Sequence, residues 1–196
     1  MTVVWIVIAI VVLLALVAVV SFNGLVRRRN RTKEAWSQID VELKRRHDLV
    51  PNLVNTVKGY ATHESGTFEA VTRARAAAVS AGATADPAKI GPAENALSAS
   101  IRSLFAVAEN YPTLRAVESF TALQEQLTAT EDKLEYARRY YNTSARDYDT
   151  AIQTFPRSLI AGPFGFTAVA FFEVEDAADR AVPVVDFGPP AEHPAG

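Results

Sequence analysis

Apolar side chains fill every position from Val3 to Val20 (VVWIVIAIVVLLALVAVV), and the first charged residue is Arg27. Carried to Phe22, about 20 residues at a rise of 1.5 Å reach roughly 30 Å, the thickness of a bilayer's hydrocarbon core. An amphipathic surface helix would show a polar face, and this stretch has none. A cleaved signal peptide would begin with positive charge, carry a shorter apolar core and close on a small-residue site. The pattern therefore predicts a membrane span over about residues 3–22, with Val3, Trp5, Ile10, Leu14 and Val20 among its membrane-spanning residues.

Beyond the span the pattern changes to a repeat. Trp36, Ile39, Leu43, Val50, Leu53, Val57 and Tyr60 step by three and four, and Arg46 takes the one spoiled position. A period near 3.5 belongs to a helix packed along its length. Pro51 lies in the middle of this run. Leu43, Val50 and Val57 keep their spacing of seven across it, so the phase does not slip. The reading is one helix over about residues 30–62, kinked at Pro51, with the carbonyl of His47 freed because proline brings no N–H. The competing reading starts a new helix near Asp48 or Val50, with Pro51 in its first turn.

A shorter helix is expected over about residues 67–80, broken by Ala81-Gly82-Ala83-Thr84-Ala85-Asp86-Pro87. Asp86-Pro87 and Gly91-Pro92 both suit a helix start, with proline at the first helical position. The third helix is placed at about residues 92–109 and ends at Tyr111-Pro112. Then Phe120, Leu127, Leu134, Tyr141, Tyr148 and Phe155 stand seven apart, predicting a fourth helix over residues 114–155. Helices with apolar stripes and short connections bury those stripes by packing as an antiparallel bundle. The fold class expected is all-α: an N-terminal transmembrane helix, then an antiparallel four-helix bundle with long helices, closed by an extended Phe-rich C-terminal strap.

Composition sharpens this picture. The 196 residues suit one ordinary domain, and the nine glycines and Ala-rich stretches favour helix over sheet. There is no cysteine, which excludes disulfides and thiolate-metal sites. From residue 30 onward 17 basic and 22 acidic residues leave a net charge of −5. A nucleic-acid partner, which needs a basic face, is not expected. The cations Arg27, Arg28, Arg29, Arg31 and Lys33 follow the span directly, and none precedes it. The positive-inside bias then places the N-terminus outside and the rest of the chain in the cytoplasm. The same five side chains can touch anionic lipid, at about 1 kcal/mol each.

Several blocks resemble the LemA family of bacterial membrane proteins. They are RNRTKEAWSQIDVELKRRHDLVPNLVNTVKGYATHE, VTRARAA, ENYPTLRA, RRYYNTSARDYDTAIQTFP and the Phe-rich close. The order of Leu-Lys-Arg-Arg, Leu-Val-Pro-Asn-Leu and Lys-Gly-Tyr makes the first block specific. Asp132 and Asp149 stand where many members resembling this chain would have Asn. The resemblance implies a single span and a soluble four-helix bundle, and it supplies no reaction. The chain is accordingly divided into an anchor (1–26), a basic juxtamembrane segment (27–33), a LemA-like helical domain (30–187) and a Pro-rich disordered tail (188–196).

Catalytic constellations are not found. His63-Glu64 lacks the second histidine of a metalloprotease helix, since position 67 is Thr. No phosphate loop, nucleophile elbow or dinucleotide fingerprint occurs. No catalytic residue, metal or cofactor is therefore assigned, and the chain is read as a non-enzyme. Lys44, Arg45, Arg46, His47 and Asp48 form a candidate interaction face, read mainly as a solvated charged surface. Tyr136 and Tyr140 share a face apart from the core tyrosines. The uncharged stretch SLIAGPFGFTAVAFF is too short and too broken to span a bilayer. Its Phe164, Phe166, Phe171 and Phe172 make a candidate hydrophobic strap that closes the core, lies at lipid headgroups or meets a partner. Val182-Pro183-Val184-Val185 is read as part of that strap.

Two functions remain in view. One is a non-enzymatic, membrane-anchored scaffold of the cell envelope, with the membrane and other envelope proteins as partners and self-association possible. The other is a small-ligand receptor or enzyme with a site between helices near Pro51, carried by His47, Asp48, Asn52 and Asn55.

Overall fold

A computed structural model describes residues 1–172, and these residues are all-α, with no strand among them. The expected tail (188–196) and the Val182–Val185 segment lie outside the described residues. Four longer helices, α1 (Thr2–Lys58), α2 (Ser65–Gly82), α3 (Pro87–Glu109) and α5 (Glu118–Gln153), carry the packing. Two single-turn pieces, α4 (Pro112–Arg115) and α6 (Ser158–Ala161), join or follow them.

The first difference from the sequence reading is continuity. The predicted span and the helix expected after it are one 57-residue helix, α1, which passes through Pro51 and ends at Lys58. No glycine pair or proline lies between Val20 and Asn30, so nothing there breaks the backbone ladder. Residues 2–20 are exposed throughout, and burial begins at Ser21 and Leu25. Below that boundary α1 packs on none of the described residues; above it, Leu25, Thr32, Ile39, Arg46 and Leu53, seven apart, all turn inward.

The other boundaries also shift. Helix α3 begins at Pro87 rather than Pro92: the Asp86 side chain accepts the N–H of Ala88 at 3.1 Å, and Pro87 takes the first turn. Pro92 sits inside α3, near enough its start that few backbone bonds are lost. The fourth predicted helix divides at Ala116–Val117, where Val117 is extended, so that α4 stands apart from α5. Phe155 drops out of the heptad series. Helix α5 ends at Gln153, because the residue before Pro156 is disfavoured in the α region, and Phe155 is 76 % exposed.

The core lies in three stacked clusters. One holds Val50, Leu53 and Val57 of α1 with Phe68, Val71, Leu97, Leu104, Phe120 and Leu127. The next holds Ile39 and Leu43 with Ile90, Leu134, Tyr141 and Phe172. The third holds Leu25 with Tyr148, Ala151, Ala161 and Phe166. Numbers fall along α1 as they rise along α5, so the two run antiparallel. The chain beyond α6 then turns at Gly165, whose φ of +69° suits glycine, and Phe166 N–H donates to the Ala161 carbonyl at 2.9 Å. From there Phe166, Val169 and Phe172 lie along α1 and α5.

Candidate functional site

Arg46 was expected on a solvated face. It is instead buried, at the position where the apolar repeat of α1 is interrupted. A guanidinium in a core needs a partner, because desolvation of an unpaired charge costs several kcal/mol. Glu94 of α3 supplies it. Arg46 Nη1 lies 3.4 Å from Glu94 Oε2, with the two side chains 6 % and 3 % exposed. Arg46 Nη2 donates to Ser98 Oγ at 2.6 Å and meets Glu131 Oε2 of α5 at 3.2 Å.

His47, also expected in solvent, is buried beside it, with Nε2 2.7 Å from Glu94 Oε1. A carboxylate only accepts, so Nε2 carries the hydrogen. Glu94 thus holds Arg46 through one oxygen and His47 through the other. This polar knot ties α1 to α3 and, through Glu131, to α5.

The proline takes part in the same knot. Pro51 stands four residues after His47 and brings no N–H, so the His47 carbonyl loses its helical donor. Arg75 of α2 fills the gap, with Nε donating to that oxygen at 2.7 Å. We expect Arg75→Ala to cost about 1–3 kcal/mol, the usual penalty for a buried acceptor left unpaired. In a Pro51→Ala background the helix supplies its own donor, and the same truncation should cost less than half as much. Denaturant melts of the four proteins in detergent read the coupling. Equal costs in both backgrounds would refute the link between proline and arginine.

A groove of about 600 Å³ opens between α3 and α5, with Arg46 on its wall beside Ser98, Arg102, Glu131, Arg138 and Arg139. None of the four residues expected to carry a ligand site near Pro51 lines it. His47 is turned to Glu94, while Asp48, Asn52 and Asn55 are exposed. Of the candidate interaction face, Lys44, Arg45 and Asp48 are exposed and Arg46 and His47 are internal, so the five do not form one surface. His63 is exposed.

A second, shallower groove lies between α1 and α5. Val41 and Tyr136, 60 % and 65 % exposed, border it with Glu34, Gln38, Asp132 and Lys133. Tyr140, on the same side of the sequence pattern, is half-buried and accepts Arg31 Nε at 3.1 Å. The cations expected to lie next to the membrane are thus partly drawn into the fold. Arg31 also lies over the Tyr140 ring, Arg29 sits 5.0 Å from the Phe166 ring centre, and Arg28 donates to the Asp147 carbonyl. Arg27 and Lys33 are exposed.

The four strap phenylalanines divide in two. Phe166 and Phe172 are buried, and Phe164 and Phe171 are exposed. Phe172 is held by Asn142, whose side-chain oxygen accepts Phe172 N–H at 2.9 Å and whose amide donates to the Phe172 carbonyl at 3.1 Å. Asp149, to which no role attached in the sequence, accepts Val169 N–H at 3.2 Å. Tyr141 donates to the Ala170 carbonyl at 2.7 Å. Burial, and then the nearby Asp149 charge, push the Tyr141 phenol above its ordinary value.

Residues 35–187 match the family described as the LemA family. Magnetosome protein MamQ 2 of Paramagnetospirillum magneticum is 25 % identical over 190 residues, which cover 82 % of this chain and 68 % of that one. Magnetosome protein MamQ of Magnetospirillum gryphiswaldense is 26 % identical over 185 residues, with the same coverage of 82 % and 68 %. Protein LemA of Metamycoplasma hominis is 26 % identical over 158 residues, covering 79 % of this chain and 69 % of the other.

Proposed function

The chain belongs to the LemA family, and on that premise we propose that it is a single-pass, membrane-anchored scaffold of the bacterial cell envelope that presents a helical face to other proteins and catalyses no reaction. The observation that carries this reading is the continuity of α1. An apolar stretch as long as a bilayer core is thick, none of it buried, runs without a break into the helix that forms the core. A rigid helix across that junction transmits the position of the membrane to the packed helices. Four antiparallel helices, closed along one side by residues 163–172 as a strap, then form the body of the scaffold. Arg27 and Lys33 at the boundary favour a cytoplasmic body with the short N-terminus outside.

The α1–α5 groove is the presenting face. Val41 and Tyr136 are large, apolar and more than half exposed, among acidic neighbours. Aromatic and aliphatic anchors ringed by polar groups suit a protein partner. A photocrosslinking residue placed at Val41 or Tyr136 in intact cells should give discrete adducts that a probe at Asn52 does not. Identical patterns from all three positions, or no adducts at all, would sink the scaffold reading.

A further inference from the structure

The membrane-proximal end of the molecule carries three large apolar side chains that the core leaves uncovered. Phe155, Leu159 and Phe164 are 76 %, 67 % and 60 % exposed. They fall within ten residues of chain around α6. The opposite face of that stretch is well packed, with Ala161 and Phe166 buried against Leu25, Tyr148 and Ala151. The exposed side chains are therefore held outward by a firm base.

Their depth is fixed by α1. The Phe164 ring lies 5.2 Å from Phe22 and the Phe166 ring 5.5 Å from it, both edge to face. A β-carbon added to Gly24 would stand 3.6 Å from the Arg157 guanidinium, so that side chain crosses α1 at Gly24. Residues 157–166 thus lie beside residues 22–25 of α1, and Phe155 stands two residues before Arg157. Val20 is the last aliphatic residue of the uninterrupted span. At 1.5 Å per residue, Phe22 to Leu25 stand about 3–8 Å beyond it. The headgroup layer on each side of a bilayer is about 5–8 Å deep. The two intervals coincide.

Resting on the reading that residues 3–22 span a bilayer, we propose that Phe155, Leu159 and Phe164 insert into the headgroup–acyl boundary of that same membrane, giving the protein a second lipid contact beside its span. The surrounding charge suits this occupant. Arg27 is exposed, and Arg157 is half-buried and crosses α1 at Gly24, less than one helical turn away, so that both suit lipid phosphates while the rings enter the apolar side of the boundary. A single helix through a bilayer can tilt and turn about its axis. A second contact on one side of it removes that freedom and fixes which face of the body looks along the membrane.

The chain has no cysteine, so each introduced thiol is unique. Full-length Phe155→Cys, Leu159→Cys, Tyr136→Cys and Val12→Cys variants, labelled with an environment-sensitive fluorophore, are placed in phosphatidylcholine–phosphatidylglycerol vesicles. The labels at 155 and 159 should be quenched strongly by lipids carrying a nitroxide high on the acyl chain and several-fold less than the Tyr136→Cys label by aqueous iodide. The Val12→Cys label should respond to a nitroxide deep in the bilayer. If 155 and 159 are as open to iodide as 136 while position 12 is in lipid, the second contact is wrong and the span stands. If position 12 is also in water, the span fails and the second contact with it.

Discussion

Glu94→Ala should destabilise the folded chain by about 3–5 kcal/mol, the cost of leaving a buried charge without its counter-ion. For a chain of this size that lowers the melting temperature on the order of 10 °C. The carboxylate is 3 % exposed and serves Arg46 and His47 together, so its removal leaves His47 Nε2 without its acceptor and takes from Arg46 its buried counter-ion. Glu131 softens the blow, since it also reaches Arg46 at 3.2 Å, but it is half-exposed and its pull is screened by water. Desolvation therefore outweighs the remaining attraction. If Arg46→Met is introduced alongside Glu94→Met, the guanidinium leaves with its partner, and the pair should lose less than the sum of the two single changes. Thermal melts in detergent decide the matter. A Glu94→Ala protein that melts within 2 °C of the parent would show that the knot carries little of the fold's stability.

A signal for this knot lies in the sequence itself. Arg46 takes the spoiled position in the apolar repeat of α1, a place where a solvated charge is the simplest expectation. Stepping back three from Leu97 in the third helix reaches Glu94, which fills the same place in the series Ile90, Leu97, Ile101, Leu104 and Ala108. Two heptad series, each interrupted once, by charges of opposite sign, signal an internal ion pair. The placement of helix 3 from Pro92 hid that, because a residue two positions into a helix has no settled face. Phase alone places Pro51 within a helix, and it lies within α1. The donor that replaces its N–H comes from Arg75 on another helix, and no local pattern points there. Continuity of α1 from its exposed apolar stretch into the packed part is hidden in the sequence for another reason. A span and a packed helix have different periodicities, and the change at Ser21 reflects a change of surroundings, with no break in the backbone. The exposed Phe155 shows the opposite error: a spacing of seven persists beyond the helix that gave it meaning, and Pro156 outweighs it.

Phe172→Ala should be nearly as damaging, about 3–5 kcal/mol if the site behaves as a packed core. The ring is 1 % exposed, 5.8 Å from Trp36, with the Arg138 guanidinium 5.4 Å above it. Sequence position argues for a smaller effect, because this residue follows a turn and no helix. The hydrogen bonds argue for the larger one: Asn142 grips both the N–H and the carbonyl of Phe172, so the backbone is fixed where the ring enters. Asn142→Ala should release the same contact from the other side, and the two changes together should cost less than their sum, since each removes what the other needs. Trp36 reports the event directly. In a Trp5→Phe background it is the one remaining tryptophan, half-buried against Tyr141 and Phe172. Both variants should shift its emission to the red before any global unfolding in a urea titration. An unshifted spectrum together with an unchanged midpoint would mean that residues 163–172 merely lie against α1 and α5 and contribute nothing to holding them together.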